Sequence, residues 1–341
     1  MRIFVTGGAG FVGSVLTTTL VEHGHTVRIV DCGFFGLDHV DPRAELIVGS
    51  ILEFDPEWLE GVDAVIHLAG LSNDPMAAFS PSLNYVLNAA GAGIVAQAAR
   101  DAGIRRFIFS STCSVYGKED GEACDEESPT SPTFPYAISK LMAERLLGCL
   151  TDEQFRPIIL RKGTVVGWSP RMRFDLVANT MVRTAISDGK IIIHSPSLWR
   201  PLIDVDDACN AYVRALDSDL AVTGVFNIAS GNYTLDDLGQ IVAQTLEEFG
   251  IKASIETEHR ADVRSYRVKT EKAANVLGFK ATKQMPATVR DLARNLLAKK
   301  LDFEDPRYYN VAQLRCLWAN GSIHQNGINP AILGLPLARV S

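Results

Sequence analysis

The 341-residue sequence contains no apolar run long enough to span a bilayer, no low-complexity tract and no internal repeat. Met1 leads directly into a strand-like segment, so no secretory leader is expected. Six cysteines (Cys32, Cys113, Cys124, Cys149, Cys209, Cys316) form neither a CxxC pair nor a zinc-like spacing, which leaves a cytoplasmic protein with thiols as the simplest expectation. Positive charge is not in excess. Thirty-three Lys and Arg against 40 Asp and Glu give a formal charge of -7, which argues against non-specific nucleic-acid binding but allows a local basic patch for a small anion. What is there, 47% hydrophobic and 21% charged residues, suits a globular enzyme. The length accommodates one large α/β domain with a smaller lobe.

The chain is organised around its first thirteen residues, MRIFVTGGAGFVG. Residues 2–6 read as a buried strand, and Gly7, Gly10 and Gly13 then open a segment of helical periodicity. Gly7 permits a tight turn, Gly10 lets backbone approach a pyrophosphate, and Gly13 lets helix pack on strand. Phosphates would lie at the helix N-terminus, against its N–H groups and the positive end of its dipole. A second strand over 27–30 ends in Asp31, placed to grip a ribose 2′-hydroxyl. Strand, turn, helix, strand and acid in that order predict a dinucleotide site.

Further along, a weaker strand is expected at 46–49, followed by Ser50 where an Asp to hold adenine would be usual. AVIHLAG at 64–70 is a continuous apolar strand of parallel-sheet type, ending in small residues that admit a ligand. A long helix is expected over 82–102, a strand at 106–112 ending in the hydroxyls Ser110, Ser111 and Thr112, and an acidic, proline-rich loop at 119–135. Helix is expected over 136–149, 171–183, 206–216 and 235–249, and strand over 157–161, 190–194, 202–205 and 225–228. This alternation implies a right-handed, doubly wound parallel sheet of Rossmann type with a smaller C-terminal α/β lobe. The expected division is a dinucleotide-binding domain at 1–165, completed by about 201–231, with a substrate lobe at 166–200 and 232–300. The tail 301–341 lacks periodicity.

Tyr136 and Lys140 lie four residues apart at the start of a helix and therefore on one face. An ammonium near the phenol, together with a cationic nicotinamide, favours the phenolate, making the tyrosine a usable base for a sugar hydroxyl.

These motifs together resemble a known family. TGGAGFVG at 6–13, HLAG at 67–70, SSTCSVYG at 110–117, YAISK at 136–140 and RPLIDVDDACNAY at 200–212 look like the extended short-chain dehydrogenase/reductases. Within them the sequence is similar to the NAD-dependent nucleotide-sugar epimerases and dehydratases, over most of the chain up to about residue 297. The resemblance implies that Thr112 hydrogen-bonds the substrate's 4-hydroxyl, that Tyr136 is the base and that Lys140 binds the nicotinamide ribose. Cofactor contacts are implied at Gly7, Gly10, Phe11, Val12 and Asp31, at Ser50 and Ile51, at Leu68, Ala69 and Gly70, and at Asn88 and Ser110. Arg200 matches an arginine that clamps the nucleotide diphosphate, a role suited to a guanidinium fork. Arg171, Arg173 and Arg264 are further diphosphate candidates, Asn179 a nucleotide or phosphate contact, and Ser114 a substrate neighbour. Asp31, with no cation directly after it, selects NAD over NADP. Pairing of the helices that carry Asn88 and Tyr136 into a four-helix bundle implies a homodimer.

The two residues after Thr112 sort the reactions of this family. Dehydratases place Asp-Glu there and uronate decarboxylases keep the Glu; here the pair is Cys113-Ser114. Small residues at both places resemble the 4-epimerases, so the primary expectation is inversion of carbon 4 through a transient 4-keto sugar. One alternative uses Cys113 as a proton shuttle for carbon 3 or 5 epimerisation or dehydration, against a buried thiol that merely packs. Another is a non-catalytic dinucleotide sensor on the same fold.

Overall fold

The computed structural model describes residues 1–117, 121–258, 264–324 and 327–328; parts of the acidic loop and of the tail lie outside the described residues. The chain opens with β1 (Arg2–Thr6), α1 (Phe11–Glu22), β2 (Thr26–Asp31), β3 (Glu45–Val48) and β4 (Ala64–His67). The fourth strand is shorter than the apolar run predicts. The amide of Leu68 still bonds the Thr6 carbonyl, and the chain then turns at Gly70, whose φ of +141° only glycine adopts readily.

The helix expected over 82–102 is divided. Asn73 accepts the Met76 N–H and caps α2 (Asp74–Phe79); Ser80 accepts the Leu83 N–H and starts α3 (Pro81–Tyr85). A π-helical turn over Val86–Ala90 runs without a break into α4 (Gly91–Asp101). Next come β5 (Arg106–Thr112), α5 (Pro135–Leu150), β6 (Arg156–Lys162), β7 (Thr164–Val166) and α6 (Val177–Asp188). The sequence pattern started α6 six residues too early. Asn179 Nδ2 and Thr180 Oγ1 take up the carbonyls of Arg173 and Phe174, which holds that segment out of helical register.

The remaining elements are β8 (Lys190–His194), β9 (Trp199–Asp204), α7 (Val205–Asp217), β10 (Gly224–Ile228), β11 (Gly231–Thr234), α8 (Leu235–Glu247), β12 (Ser254–Glu258), α9 (Glu271–Val276), α10 (Met285–Lys299) and α11 (Asn310–Ala319). The strands β7, β11 and β12 carry no clear sequence signal, being short and only partly buried.

Seven strands form the central sheet in the order β10-β6-β5-β4-β1-β2-β3, as a doubly wound Rossmann sheet requires. Val5 lies opposite Ile29 on one side and Ile66 on the other, both pairings parallel, and Ile3, Val5, Ile29 and Ile66 are fully buried. The strand order reverses between β1 and β4, which puts the topological switch point at the carboxyl end of β1.

Two compact units emerge. The first comprises Met1–Phe109, Phe134–Pro157 and Asp305–Ser341; the second comprises Ser110–Thr133 and Ile158–Glu304. In the first, α5 packs on α4 and on the π turn, and α11 packs on α2. In the second, β11, β9 and β7 form a three-stranded sheet, while the β8–β12 pair is covered by α6 and α8. No helix among the described residues is long and apolar enough to cross a membrane.

Candidate active site

The glycine turn in the first unit has the shape a dinucleotide needs. Gly7 has φ +72°, and a Cβ there would lie 2.8 Å from the Ala69 nitrogen. A Cβ on Gly13 would lie 2.2 Å from the Gly7 carbonyl oxygen, so α1 cannot pack here with any side chain at that position. Gly10 is the N-cap of α1 and contributes no side chain; a Cβ there would approach only the Gly7 oxygen, at 3.2 Å. Phe11 and Val12 form the first turn beyond it. At the end of β2 the Asp31 carboxylate accepts the N–H groups of Ala9 (3.0 Å) and Gly33 (2.9 Å), which fixes it beside the turn. A narrow backbone cradle with a fixed carboxylate at its edge fits NAD.

The opposite wall follows β4. Ala69 donates its N–H to Thr6 Oγ1 (3.2 Å), which also pairs with His67 Nδ1 (2.8 Å). His67 is fully buried, its ring stacked against those of Phe107 (6.2 Å) and Phe109 (5.8 Å). Burial first, and the Lys140 charge second, hold its pKa down to about 3, so this imidazole is neutral throughout the working range. Asn88 stands in the π turn, which displaces it from regular helical register. Its Oδ1 accepts the Leu71 N–H, and its Nδ2 lies within hydrogen-bond distance of Leu71 O, Asn84 Oδ1 and Ser139 Oγ. Asn88 therefore ties the Gly70–Leu71 bend to both helices. Ser50 caps the short turn Ile51–Glu53, and Ile51 packs beneath Gly91.

Tyr136 and Lys140 occupy the first two turns of α5, which Pro135 starts. Lys140 is buried, its Nζ 5.0 Å from the centre of the Phe109 ring and close to Gly70. Burial lowers its pKa to about 8 against the opposing pull of Glu144, so the ammonium persists at neutral pH but is easily deprotonated above it.

The second unit carries the hydroxyl and arginine groups. Thr112 ends β5 in extended geometry and accepts the Ser114 N–H (3.1 Å), starting a tight turn over Cys113–Tyr116. The turn drives Cys113 inward. Its side chain is fully buried and its thiol donates to the Arg161 carbonyl (3.1 Å). A buried thiol bonded to backbone does not favour the alternative that assigned Cys113 to proton transfer. Ser114 instead is held at the surface of the turn, linked to Thr112 (3.1 Å) and to the Tyr266 hydroxyl (2.9 Å). Ser110 receives the Lys162 ammonium, which also contacts Tyr212 OH at 3.0 Å.

Arg200, on β9, donates to the carbonyls of Trp199 (2.9 Å) and Arg264 and lies over the Tyr266 ring at 5.9 Å. Arg173 forms a two-point pair with Asp175 (2.8 and 3.0 Å), which neutralises much of its attraction for an anion. Arg171 is buried next to it. Asn179 accepts the Gly167 N–H and directs its amide hydrogens to the Gly167 and Arg173 carbonyls, so it braces this loop. Sequence reasoning missed Tyr266 and Lys162. Tyr266 lies in a stretch without helical or strand periodicity, and Lys162 ends an apolar strand as an apparently ordinary boundary charge.

The sequence profile of the NAD dependent epimerase/dehydratase family matches residues 3–229. The chain belongs to this family. Among relatives, a UDP-glucose 4-epimerase of Lactobacillus helveticus is 27% identical over 308 residues, covering 82% of this chain and 92% of its own length. One of the same name from Dictyostelium discoideum is 29% identical over 325 residues, covering 85% and 94%. Among solved structures, MoeE5 in complex with UDP-glucuronic acid and NAD superposes with a TM-score of 0.78 at 25% identity, covering 88% of this chain and all of its own. A UDP-galactose 4-epimerase superposes at 0.74 with 28% identity, covering 89% and 100%. The cofactor of this family is NAD, in agreement with Asp31 and the glycine turn.

Proposed function

We infer that this chain is an NAD-dependent nucleotide-sugar epimerase that inverts carbon 4 of a UDP-sugar. The observation that carries the reading is the Tyr136–Lys140 pair on α5 together with a Thr112 turn that presents a serine and buries its cysteine. Likeness to the three 4-epimerases and to the UDP-glucuronic acid complex of MoeE5 supports the UDP-sugar and the position inverted.

Tyr136, as phenolate, removes the proton from the 4-hydroxyl, and Thr112 orients that hydroxyl. The Lys140 ammonium lowers the cost of the phenolate and holds the nicotinamide ribose. NAD, when bound, would accept the hydride of carbon 4 and give the same hydride back to the opposite face of the 4-keto sugar. After the 4-keto sugar turns about its diphosphate linkage, Tyr136 returns the proton to the oxygen on the inverted carbon. Arg200 clamps the diphosphate, with Arg171 and Arg264 contributing charge, Arg173 less because Asp175 pairs with it, and Asn179 bracing the loop of Arg171 and Arg173. Asn88 acts on the cofactor through the Gly70–Leu71 bend. The division into a cofactor part (1–165 with 201–231) and a sugar part (166–200 with 232–300) follows these roles.

The paired helices suggest the assembly. Val86, Ile94, Met142 and Leu146 are large, apolar and exposed on the run from α3 to α4 and on α5, a face suited to a second copy of the chain in a four-helix bundle. A cytoplasmic setting agrees with six cysteines that form no disulfide. The decisive experiment incubates the purified protein with UDP-glucose and UDP-glucuronic acid in deuterated water and identifies products by NMR. The expected product is the 4-epimer with no deuterium on carbon; a 4-keto-6-deoxy sugar, or label at carbon 3 or 5, overturns the reading.

A further inference from the structure

Residues 306–319 pack within the unit that carries the glycine turn. Pro306–Tyr308 forms a single turn and α11 follows it, both within the first unit. Two buried or half-buried amides on one side of α11 reach two different parts of that unit. Gln313 Nε2 donates to the Phe34 carbonyl at 2.8 Å. Asn310 is 2% exposed, and its Nδ2 contacts Ser72 Oγ at 3.1 Å and Met76 Sδ at 3.0 Å. Leu314, one turn after Asn310, is fully buried, and Trp318 meets Phe79 edge to face at 5.8 Å.

The two places held are the segments leaving β2 and β4. Those strands are the two neighbours of β1 in the sheet, so they flank the glycine turn on either side. The segment after β2 is also tied to the turn itself: Asp31 accepts from Ala9 and Gly33, and His39 Nε2 pairs with the Ala9 carbonyl at 2.7 Å. Ser72 and Met76 lie just beyond the Gly70–Leu71 bend that Asn88 holds. A helix anchored to both segments opposes their separation, and separating them is the direct way to open a cradle closed around a dinucleotide.

We propose that α11 is a clasp on the NAD site, in which Gln313 and Asn310 act as positioning residues that slow cofactor release. Retention matters to this chemistry. The hydride taken from carbon 4 must return to the same sugar, so a molecule that loses reduced cofactor in mid-reaction strands a keto sugar and stops.

The test uses the full chain loaded with NADH and mixed with excess NAD, following the loss of bound-cofactor fluorescence. Gln313→Glu keeps the shape but replaces the donor with an acceptor facing the Phe34 carbonyl; Asn310→Ala removes the second anchor. The double variant is expected to release NADH about tenfold faster, as loss of two hydrogen-bonded anchors predicts. Its affinity for UDP stays within twofold of the parent, and hydrogen exchange rises at residues 33–40 and 71–79. Gln313→Lys in place of Gln313→Glu, which restores an N–H donor at that one anchor, is expected to slow release relative to the double variant. An unchanged release rate in the folded double variant overturns the proposal. So does an equal loss of UDP affinity, which signals general loosening. Because cofactor release is read directly, the result does not depend on which sugar is epimerised.

Discussion

Cys113 shows how much one residue's direction matters. Its place in the chain, directly after Thr112, is the place where this family varies its chemistry, yet the thiol is buried and bonded to the Arg161 carbonyl. Cys113→Ala is therefore expected to leave turnover within about threefold of the parent and to cost stability by about 1–2 kcal/mol, from a lost small packing group and a lost thiol–carbonyl hydrogen bond. Steady-state kinetics and urea unfolding check both. His67 makes a pH prediction. Its folded pKa of about 3 lies below the unfolded value near 6.5, so between these values the unfolded chain binds a proton that the folded protein does not. The stability contributed by neutral His67 is complete above the unfolded value and is lost as pH falls toward the folded one. Thermal melts from about pH 7 down to about pH 4 should show a shallower decline for His67→Gln than for the parent protein.

At the scale of elements, the π turn over Val86–Ala90 is the feature that joins fold to site. It lets one buried amide, Asn88, reach the Leu71 backbone, Asn84 and α5 together. Asn88→Leu leaves the Leu71 N–H and C=O without these partners and is expected to destabilise the protein by roughly 2–4 kcal/mol, measured by denaturant unfolding. NAD affinity should fall as well, because the Gly70–Leu71 bend loses its anchor. Little of this turn was legible beforehand. The alanine- and glycine-rich stretch reads as plain helix, and a π turn depends on what the extra residue reaches rather than on its neighbours in sequence. The parallel strands were much more legible, since β1, β4 and β5 are buried on both faces and the side chains at their centres must be apolar.

For the whole molecule, the exposed apolar side chains on α4 and α5 make assembly testable. Ile94→Asp with Leu146→Asp introduces charge where two copies would bury apolar surface, and sedimentation should show a shift from dimer to monomer. A parental protein that already sediments as a monomer refutes the four-helix bundle. The placement of α11 also belongs to this scale, because residues after 304 join the unit that begins the chain rather than the unit they follow.

The sequence by itself determined the cofactor turn and the Tyr136–Lys140 pair. Both are local: glycine is required where a Cβ would strike backbone, and two side chains four apart on a helix share a face whatever surrounds them. Tertiary structure alone decided that Cys113 points inward, that Asn88 and Asn179 brace backbone, that Tyr266 stands between Ser114 and Arg200, and that α11 lies against Phe34 and Met76. Each of those outcomes depends on a partner outside the residue's own helical turn or strand neighbours, from 6 residues away for Asn179 to 279 for Gln313. Such a partner is chosen by packing and by the need of every buried polar group for a hydrogen bond, and neither leaves a periodic mark on the chain.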